Sequence, residues 1–169
     1  SDFSVIGHKN AEADDVIYVG TKYANKKTTI ISSDKDFRQL ISDKVKLYDP
    51  IKKVYIKEDN PKEYLVKHIL IGDGVDNIKS CRKRLGPKKA EGMVKNIEAH
   101  LEIDDQLRER YAFNKKLIDL SELPKPIFDD IFDSFRNVEF NYNPMGILDF
   151  CRKYKLKVLG KRINGLQLN

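Results

Sequence analysis

The chain has little that would tie it to an oxidising compartment, a membrane or a zinc site. It has two cysteines, Cys81 and Cys151, in 169 residues, too few for a disulfide framework, so a reducing cytoplasm is expected. No apolar run approaches the length of a membrane span, and no membrane partner is expected. The three histidines, His8, His68 and His100, are scattered along the chain, and we interpret them as ordinary residues.

Charge is what the chain has in quantity. Charged residues make up 34% of the sequence and hydrophobic residues 40%, with a formal net charge of +6. The hydrophobic fraction suffices for a proper core. The excess of positive charge suggests a polyanionic partner, such as a nucleic acid.

The hydrophobic patterning predicts an α/β layer followed by helices, with a soft boundary near Gly72. Before this boundary we predict a helix Ala11–Tyr23 capped by Asn10, a strand Thr28–Ser32, and a short helix that begins with a capping box of Ser33 and Asp36. Two strands follow, Val45–Tyr48 and Val54–Lys57, joined by a turn at Asp49. A further helix begins at Asn60 and Pro61 and ends at Gly72. The helices predicted after it are Lys88–Asn96, Asp105–Ile118, Ile127–Phe135 and Pro144–Tyr154. We therefore predict an α/β part over 1–71 and a helical part over 72–169.

Seven acids stand where predicted strands or helices begin or end: Glu12, Asp14, Asp15, Asp34, Asp36, Asp73 and Asp76. Acids at the carboxyl ends of strands in an open α/β sheet point into its functional crevice. Converging carboxylates repel each other, so such a site needs a compensating cation. Oxygen ligands favour Mg²⁺ or Mn²⁺, and two such ions roughly 3.5–4 Å apart can activate a water and stabilise a leaving oxygen.

Each acidic segment also has a plainer interpretation. Asp34 and Asp36 can cap the first turn of a helix, and acids in a Gly-containing turn such as Asp73 commonly make local hydrogen bonds. Glu12 and Asp14 point to nearly opposite faces of a regular helix. Both can serve one site only if Glu12 precedes the regular helix.

Four segments in this order resemble the flap endonuclease and phage 5′→3′ exonuclease family, including the phage enzymes called RNase H. They are Glu12-Ala13-Asp14-Asp15, then Ser32-Ser33-Asp34-Lys35-Asp36-Phe37, then Gly72-Asp73-Gly74-Val75-Asp76-Asn77-Ile78, then Gly86-Pro87-Lys88-Lys89-Ala90. The resemblance covers about residues 11–90. It implies a PIN-like 5′-nuclease core with a parallel sheet, joined to a helix–hairpin–helix-type DNA-binding subdomain. It also implies hydrolysis of phosphodiester bonds in DNA or RNA–DNA duplexes during replication, including primer removal.

The resemblance assigns roles to the acids. It implies catalytic roles for Asp14, Asp34, Asp36 and Asp76. The implied metal ligands are Glu12, Asp14, Asp34, Asp36, Asp73 and Asp76, with Asp15 in support. The implied ions are two Mg²⁺, for which Mn²⁺ can substitute. The family's hairpin element often binds K⁺ as well, through backbone carbonyls and a hydroxyl, and Val75 stands here at the usual serine position.

A basic segment, Lys79–Lys95, contains a single acid, Glu91. The residues predicted to bind DNA are Lys79, Arg82, Lys83, Arg84, Gly86, Lys88, Lys89 and Lys95. Gly86 permits a close approach of a phosphate, and the helix after it offers free N–H groups to the anion. Such a cluster follows a DNA backbone without reading its sequence. The alternative is a solvated basic loop.

The C-terminal part carries two weaker signals. A second basic run, Arg152, Lys153, Lys155, Lys157, Lys161 and Arg162, either extends the DNA footprint or solvates a helix. The tail Ile163–Asn169 is a candidate for docking on a sliding clamp. A single-strand binding protein is another candidate partner, and the chain is expected to be a monomer.

Family members begin with a strand that carries a metal-binding aspartate and have an arch of basic helices. Nothing before Ala11 corresponds to either, so we expect the chain to be roughly the C-terminal half of a nuclease, located in the cytoplasm, or in the host cytoplasm if a phage encodes it. Three other interpretations stay open. They are a non-catalytic structure-specific DNA-binding module, a PIN-type ribonuclease and a generic basic α/β protein.

Overall fold

The computed structural model describes residues 5–24, 26–138, 149 and 151–155. The elements are α1 (Ala13–Tyr23), β1 (Thr28–Ile31), β2 (Val45–Asp49), β3 (Val54–Ile56), α2 (Pro61–Ile71), α3 (Pro87–Val94), α4 (Ile97–Ile103), α5 (Asp105–Ile118) and α6 (Lys125–Asn137), with 3-10 turns at Asp36–Leu40 and Leu120–Glu122. Over these residues, no helix combines the length and the apolar character needed to span a bilayer. The predicted helix Pro144–Tyr154 lies largely outside the described residues.

The sheet is small and mixed, in the order β1-β2-β3. β1 pairs with β2 in parallel, and β2 pairs with β3 antiparallel. The second pairing follows from the predicted turn, where an Asp49 carboxylate oxygen accepts the N–H groups of Ile51 and Lys52, both at 2.9 Å. The expected α/β architecture is confirmed. The parallel sheet is correct for β1 and β2 only, because a tight turn can join strands only in an antiparallel pair.

Three apolar clusters hold the layers together. Ile30 of β1 and Leu47 of β2 pack with Phe37 of the first 3-10 turn. Leu70 joins α2 to α3 and α5. A third cluster packs α6 against α1 around the fully buried Ile131. These contacts connect the segments before and after Gly72, and the division into 1–71 and 72–169 stays a prediction.

The strongest local signals are confirmed. Asn60 Oδ1 accepts the Glu63 N–H at 3.2 Å, Pro61 is the first residue of α2, and Gly72 ends the helix with a φ of 76°. α5 has the bounds that were predicted for it. Caps of this kind are local hydrogen bonds, which is why the sequence reveals them.

Two predicted caps are wrong. α1 begins at Ala13 with Glu12 as its N-cap, because Asp15 Oδ2 accepts the Glu12 N–H at 3.0 Å and closes the turn there. Ser33 and Asp36 form no capping box, since the 3-10 turn has Lys35 at its N-cap. The helix α4 was not predicted.

Candidate active site

Two adjoining cavities collect the acids. The first, about 460 Å³, is lined by Ser32, Ser33, Asp34, Lys35, Asp36, Asp73, Val75 and Asp76. The second, about 570 Å³, includes Glu12, Asp14, Asp15, Asp36 and Asp76, with Lys9 and Lys116. The seven predicted acids line these two cavities, which share Asp36 and Asp76 and which we together call the acidic cleft.

The start of α1 shows how Glu12 and Asp14 can both face one site. Glu12 is the N-cap residue, with extended backbone at φ −83° and ψ 169°. It therefore precedes the regular helix, and both Glu12 and Asp14 line the second cavity. Asp15 lies in the same cavity but also accepts the Glu12 N–H, so it stabilises the turn.

The second acidic segment follows the carboxyl end of β1. Ser32 Oγ accepts the Asp34 N–H at 3.0 Å, and Asp34 Oδ1 accepts the Asp36 N–H at 2.9 Å. The Tyr64 hydroxyl donates to the Lys35 carbonyl at 3.0 Å, which ties this turn to α2. The capping interpretation and the site interpretation are thus compatible, because the turn that these hydrogen bonds make aims both acids into the cleft.

The third segment depends on Gly72. A Cβ atom at this position would lie 2.4 Å from the Ile78 carbonyl oxygen, and its φ is positive. The Ile78 N–H donates back to the Asp73 carbonyl at 2.7 Å, so the chain doubles back tightly. This turn places Asp73 in the interior, with 2% of its surface exposed, and Asp76 at the exposed rim.

The electrostatics of the cleft fit a divalent cation. Burial, together with the charges of Asp34, Asp36, Glu12 and Asp15, raises the pKa of Asp14 to about 6. Burial also raises the pKa of Asp36, against the opposing effect of His68. Asp36 Oδ1 is buried and has no hydrogen-bond partner among residues 5–24, 26–138, 149 and 151–155. Carboxylates in this condition have the oxygen donors, and the unbalanced charge, that Mg²⁺ or Mn²⁺ would satisfy.

Asp73 differs from the other acids because its oxygens are already engaged. Burial acts to raise its pKa, but hydrogen bonds from Lys35, Val75 and His68 outweigh it and lower the pKa to about 2. Lys35 Nζ lies 2.8 Å and His68 Nε2 3.1 Å from Asp73 Oδ2, and the Val75 N–H lies 2.8 Å from Oδ1. Asp73 is therefore an ionised acid that orders its neighbours.

His68 is the functional-site residue that sequence reasoning missed. Only 8% of it is exposed, and it lies between Asp36 and Asp73, close enough for the three to hold one metal ion. His68, interpreted from the sequence as an ordinary residue, is a candidate ligand in the structure. The available signal was its place in the last turn of α2, directly before the acidic turn. His8 lies elsewhere, 3.5 Å from Asp130.

The basic segment forms an exposed surface that begins three residues after Asp76. Its seven cationic side chains are all exposed: Lys79, Arg82, Lys83, Arg84, Lys88, Lys89 and Lys95. Arg82 forms an ion pair with Asp104. Gly86 is the N-cap of α3, and a Cβ there would meet nothing within 4 Å, so the start of the helix faces open space. DNA binding by these residues stays a prediction.

A buried side chain fixes the base of this segment. Asn114 Nδ2 donates to the Ile69 and Lys79 carbonyls, both at 2.9 Å.

Of the second basic run, Arg152, Lys153 and Lys155 are described, and Arg152 pairs with Asp149 at 3.0 Å. Lys157, Lys161, Arg162 and the tail Ile163–Asn169 lie outside the described residues.

Comparison with known proteins finds similarity to 5′-3′ exonucleases. Residues 1–67 match the family model described as the 5′-3′ exonuclease N-terminal resolvase-like domain. A 5′-3′ exonuclease of Aquifex aeolicus (strain VF5) is 38% identical over 95 residues, which are 50% of this chain and 32% of that protein. Over these residues the chain is similar to 5′-3′ exonucleases. The chain spans about a third of the length of the Aquifex protein.

Solved structures confirm the PIN-like α/β fold of the chain. The T5 D15 protein crystallised with metal ions has a TM-score of 0.61 at 16% identity, over 79% of this chain and 62% of that one. The bacteriophage T5 D15 flap endonuclease, in a pseudo-enzyme-product complex with DNA and metal ions, has a TM-score of 0.60 at 16% identity, over 76% and 60%. At these identities the likeness concerns the fold.

Proposed function

We propose that the protein carrying this chain is a metal-dependent 5′ nuclease, a 5′→3′ exonuclease or flap endonuclease that hydrolyses phosphodiester bonds in DNA or RNA–DNA duplexes. The observation that carries the proposal is the acidic cleft, where seven acids from three separate segments meet. The match of residues 1–67 to the 5′-3′ exonuclease model, and the fold shared with T5 proteins crystallised with metal ions and with DNA, support it. Primer removal during replication is the proposed role.

The acids that would hold two Mg²⁺ ions, or Mn²⁺ in their place, are Glu12, Asp14, Asp34, Asp36 and Asp76. Bound divalent ions supply an activated water and stabilise the leaving oxygen of a phosphodiester. Asp15 supports Glu12 through the turn at α1. Asp73 would act by positioning, since it orders Lys35, His68 and the Val75 backbone.

The basic segment would hold the nucleic acid. Its exposed lysines and arginines neutralise backbone phosphates, and the N–H groups at the start of α3 suit one phosphate at Gly86. Lys9 and Lys116 border the acidic cleft itself and would attract the strand to be cut. A sliding clamp, a single-strand binding protein and a cytoplasmic location belong to the same proposal.

The test uses the full-length protein that carries this chain, a 5′-flap duplex and Mg²⁺. Asp34→Ala and Asp76→Ala remove one acid each from the cleft, and Asp43→Ala removes an exposed acid outside it. We expect cleavage to be lost in the first two variants and kept in the third. Undiminished cleavage by both cleft variants rejects the site. Binding of DNA without cleavage by the unmutated protein would favour the non-catalytic module.

A further inference from the structure

Two buried atoms without partners face each other beside the acidic cleft. His68 Nδ1 and Asp36 Oδ1 are both buried and lack a hydrogen-bond partner among the described parts of the chain. They lie 3.6 Å apart, beyond the usual range of a hydrogen bond. Two buried acceptors in this position carry an uncompensated desolvation cost unless a metal ion lies between them or Nδ1 is protonated.

Asp73 determines which ring nitrogen of His68 is available. Its carboxylate pairs with the Lys35 ammonium at 2.8 Å and so acts as an acceptor, and His68 Nε2 lies 3.1 Å from its Oδ2. Nε2 therefore carries the hydrogen and donates it to Asp73. In the neutral ring this leaves the lone pair of Nδ1 directed toward Asp36. A metal-ligating histidine typically has this arrangement, with its other N–H donated to a carboxylate.

We infer that His68 Nδ1 and Asp36 Oδ1 are joint ligands of a first-row transition ion such as Mn²⁺ in the acidic cleft. Bonds of roughly 2.1 Å reach both atoms at an angle of about 120°, given their separation of 3.6 Å. Asp36 lines both cavities, and the ligand atoms of Asp36, His68 and Asp73 lie within 4.8 Å of one another, so the ion would lie at the inner wall of the cleft. This inference rests on the proposed metal dependence and deepens it.

The nitrogen ligand has a consequence for the choice of metal. Mg²⁺ is bound through oxygen, whereas imidazole suits transition ions. A cleft with His68 in its ligand set should thus discriminate between Mn²⁺ and Mg²⁺ more strongly than carboxylates alone. The ion pair of Lys35 with Asp73 contributes, because it neutralises Asp73 and leaves it as the acceptor that orients the His68 ring.

The experiment is pulsed electron paramagnetic resonance of Mn²⁺ bound to the 169-residue chain. We expect a ¹⁴N hyperfine coupling from a directly bound imidazole, replaced by a ¹⁵N coupling when the chain is labelled with ¹⁵N-histidine. His68→Gln should abolish the coupling and raise the dissociation constant for Mn²⁺ about tenfold, with the constant for Mg²⁺ changed less than twofold. His8→Gln and His100→Gln are the matched controls and should keep the coupling.

Three results overturn the inference: bound Mn²⁺ with an all-oxygen shell, a nitrogen coupling that survives His68→Gln, or no Mn²⁺ binding. The labelled, unmutated chain and the two controls decide the matter even if His68→Gln does not fold. The nuclease proposal stands or falls separately, through Mg²⁺-dependent cleavage by the Asp34→Ala and Asp76→Ala proteins. Cleavage with an all-oxygen shell would therefore reject His68 and keep the nuclease.

Discussion

The acidic cleft and the basic segment are opposite in charge and in how the chain builds them. The cleft joins acids from three segments, and hydrogen bonds to backbone hold several of them, as with Asp34 and Asp73. The basic segment is continuous in sequence, and its seven cationic side chains are all exposed. Repelling charges can share a cleft only where the fold forces them together, whereas exposed lysines need only local sequence. Changes in the cleft should therefore affect chemistry and stability, and changes in the basic segment should affect binding.

The largest expected effect is on catalysis at the centre of the cleft. Asp36→Asn keeps the size of the side chain but removes a charge shared by both cavities. We expect the cleavage rate of the full-length protein to fall about a thousandfold, or about 4 kcal/mol, with DNA affinity nearly unchanged. Single-turnover cleavage with Mg²⁺ measures it. Asp43→Asn is the control, and an unchanged rate for Asp36→Asn would contradict the role of this acid.

The second effect is on the turn that carries Asp73 and Asp76. Gly72→Ala places a Cβ 2.4 Å from the Ile78 oxygen at a positive φ, so we expect a loss of about 3 kcal/mol in the free energy of unfolding. Gly74→Ala, where a Cβ meets nothing within 4 Å, should change it little. Urea denaturation of both variants measures the difference, and equal stabilities would show that the turn tolerates a side chain at Gly72.

The third change should stabilise the protein, unlike the two before it, because it removes a repulsion between carboxylates. Asp14 has a pKa of about 6 in the fold against an ordinary 3.8, so its charged form opposes folding above pH 6. Asp14→Asn should stabilise the metal-free chain by up to about 2 kcal/mol at pH 7.5. The gain should shrink as the pH falls from about 6 to about 4, where Asp14 itself becomes protonated. Thermal unfolding over this pH range measures it, and a gain independent of pH would refute the electrostatic cause.

The smallest expected effect is on DNA binding by the basic segment. Lys88→Ala with Lys89→Ala removes two exposed charges from the first turn of α3. We expect DNA affinity to weaken about tenfold, and the slope of log K against log salt to fall by about 2. The cleavage rate at saturating substrate should stay the same. Lys44→Ala with Lys57→Ala, exposed lysines outside the segment, is the control, and equal weakening by both pairs would contradict a defined DNA surface.

Sequence patterns predicted the parts of this protein that depend on neighbours along the chain. The cap and proline that start α2, the glycine that ends it and the bounds of α5 are confirmed. Near α1 the same reasoning chose Asn10 over Glu12, because several polar residues there could close the turn. Of the mixed sheet, only the parallel pair β1 and β2 was predicted, since the relative direction of two strands depends on the connection between them.

By itself, the sequence determined the identity and order of the acidic motifs, and with them the resemblance to 5′ nucleases. It also determined the charge of the basic segment, since charge is a property of the residues themselves. Only the tertiary structure decided that Asp36 and Asp76 line both cavities, that Asp73 is engaged by Lys35, and that His68 lies beside Asp36 and Asp73. Those facts are distances between groups remote in sequence or on different elements, and such distances are set by packing.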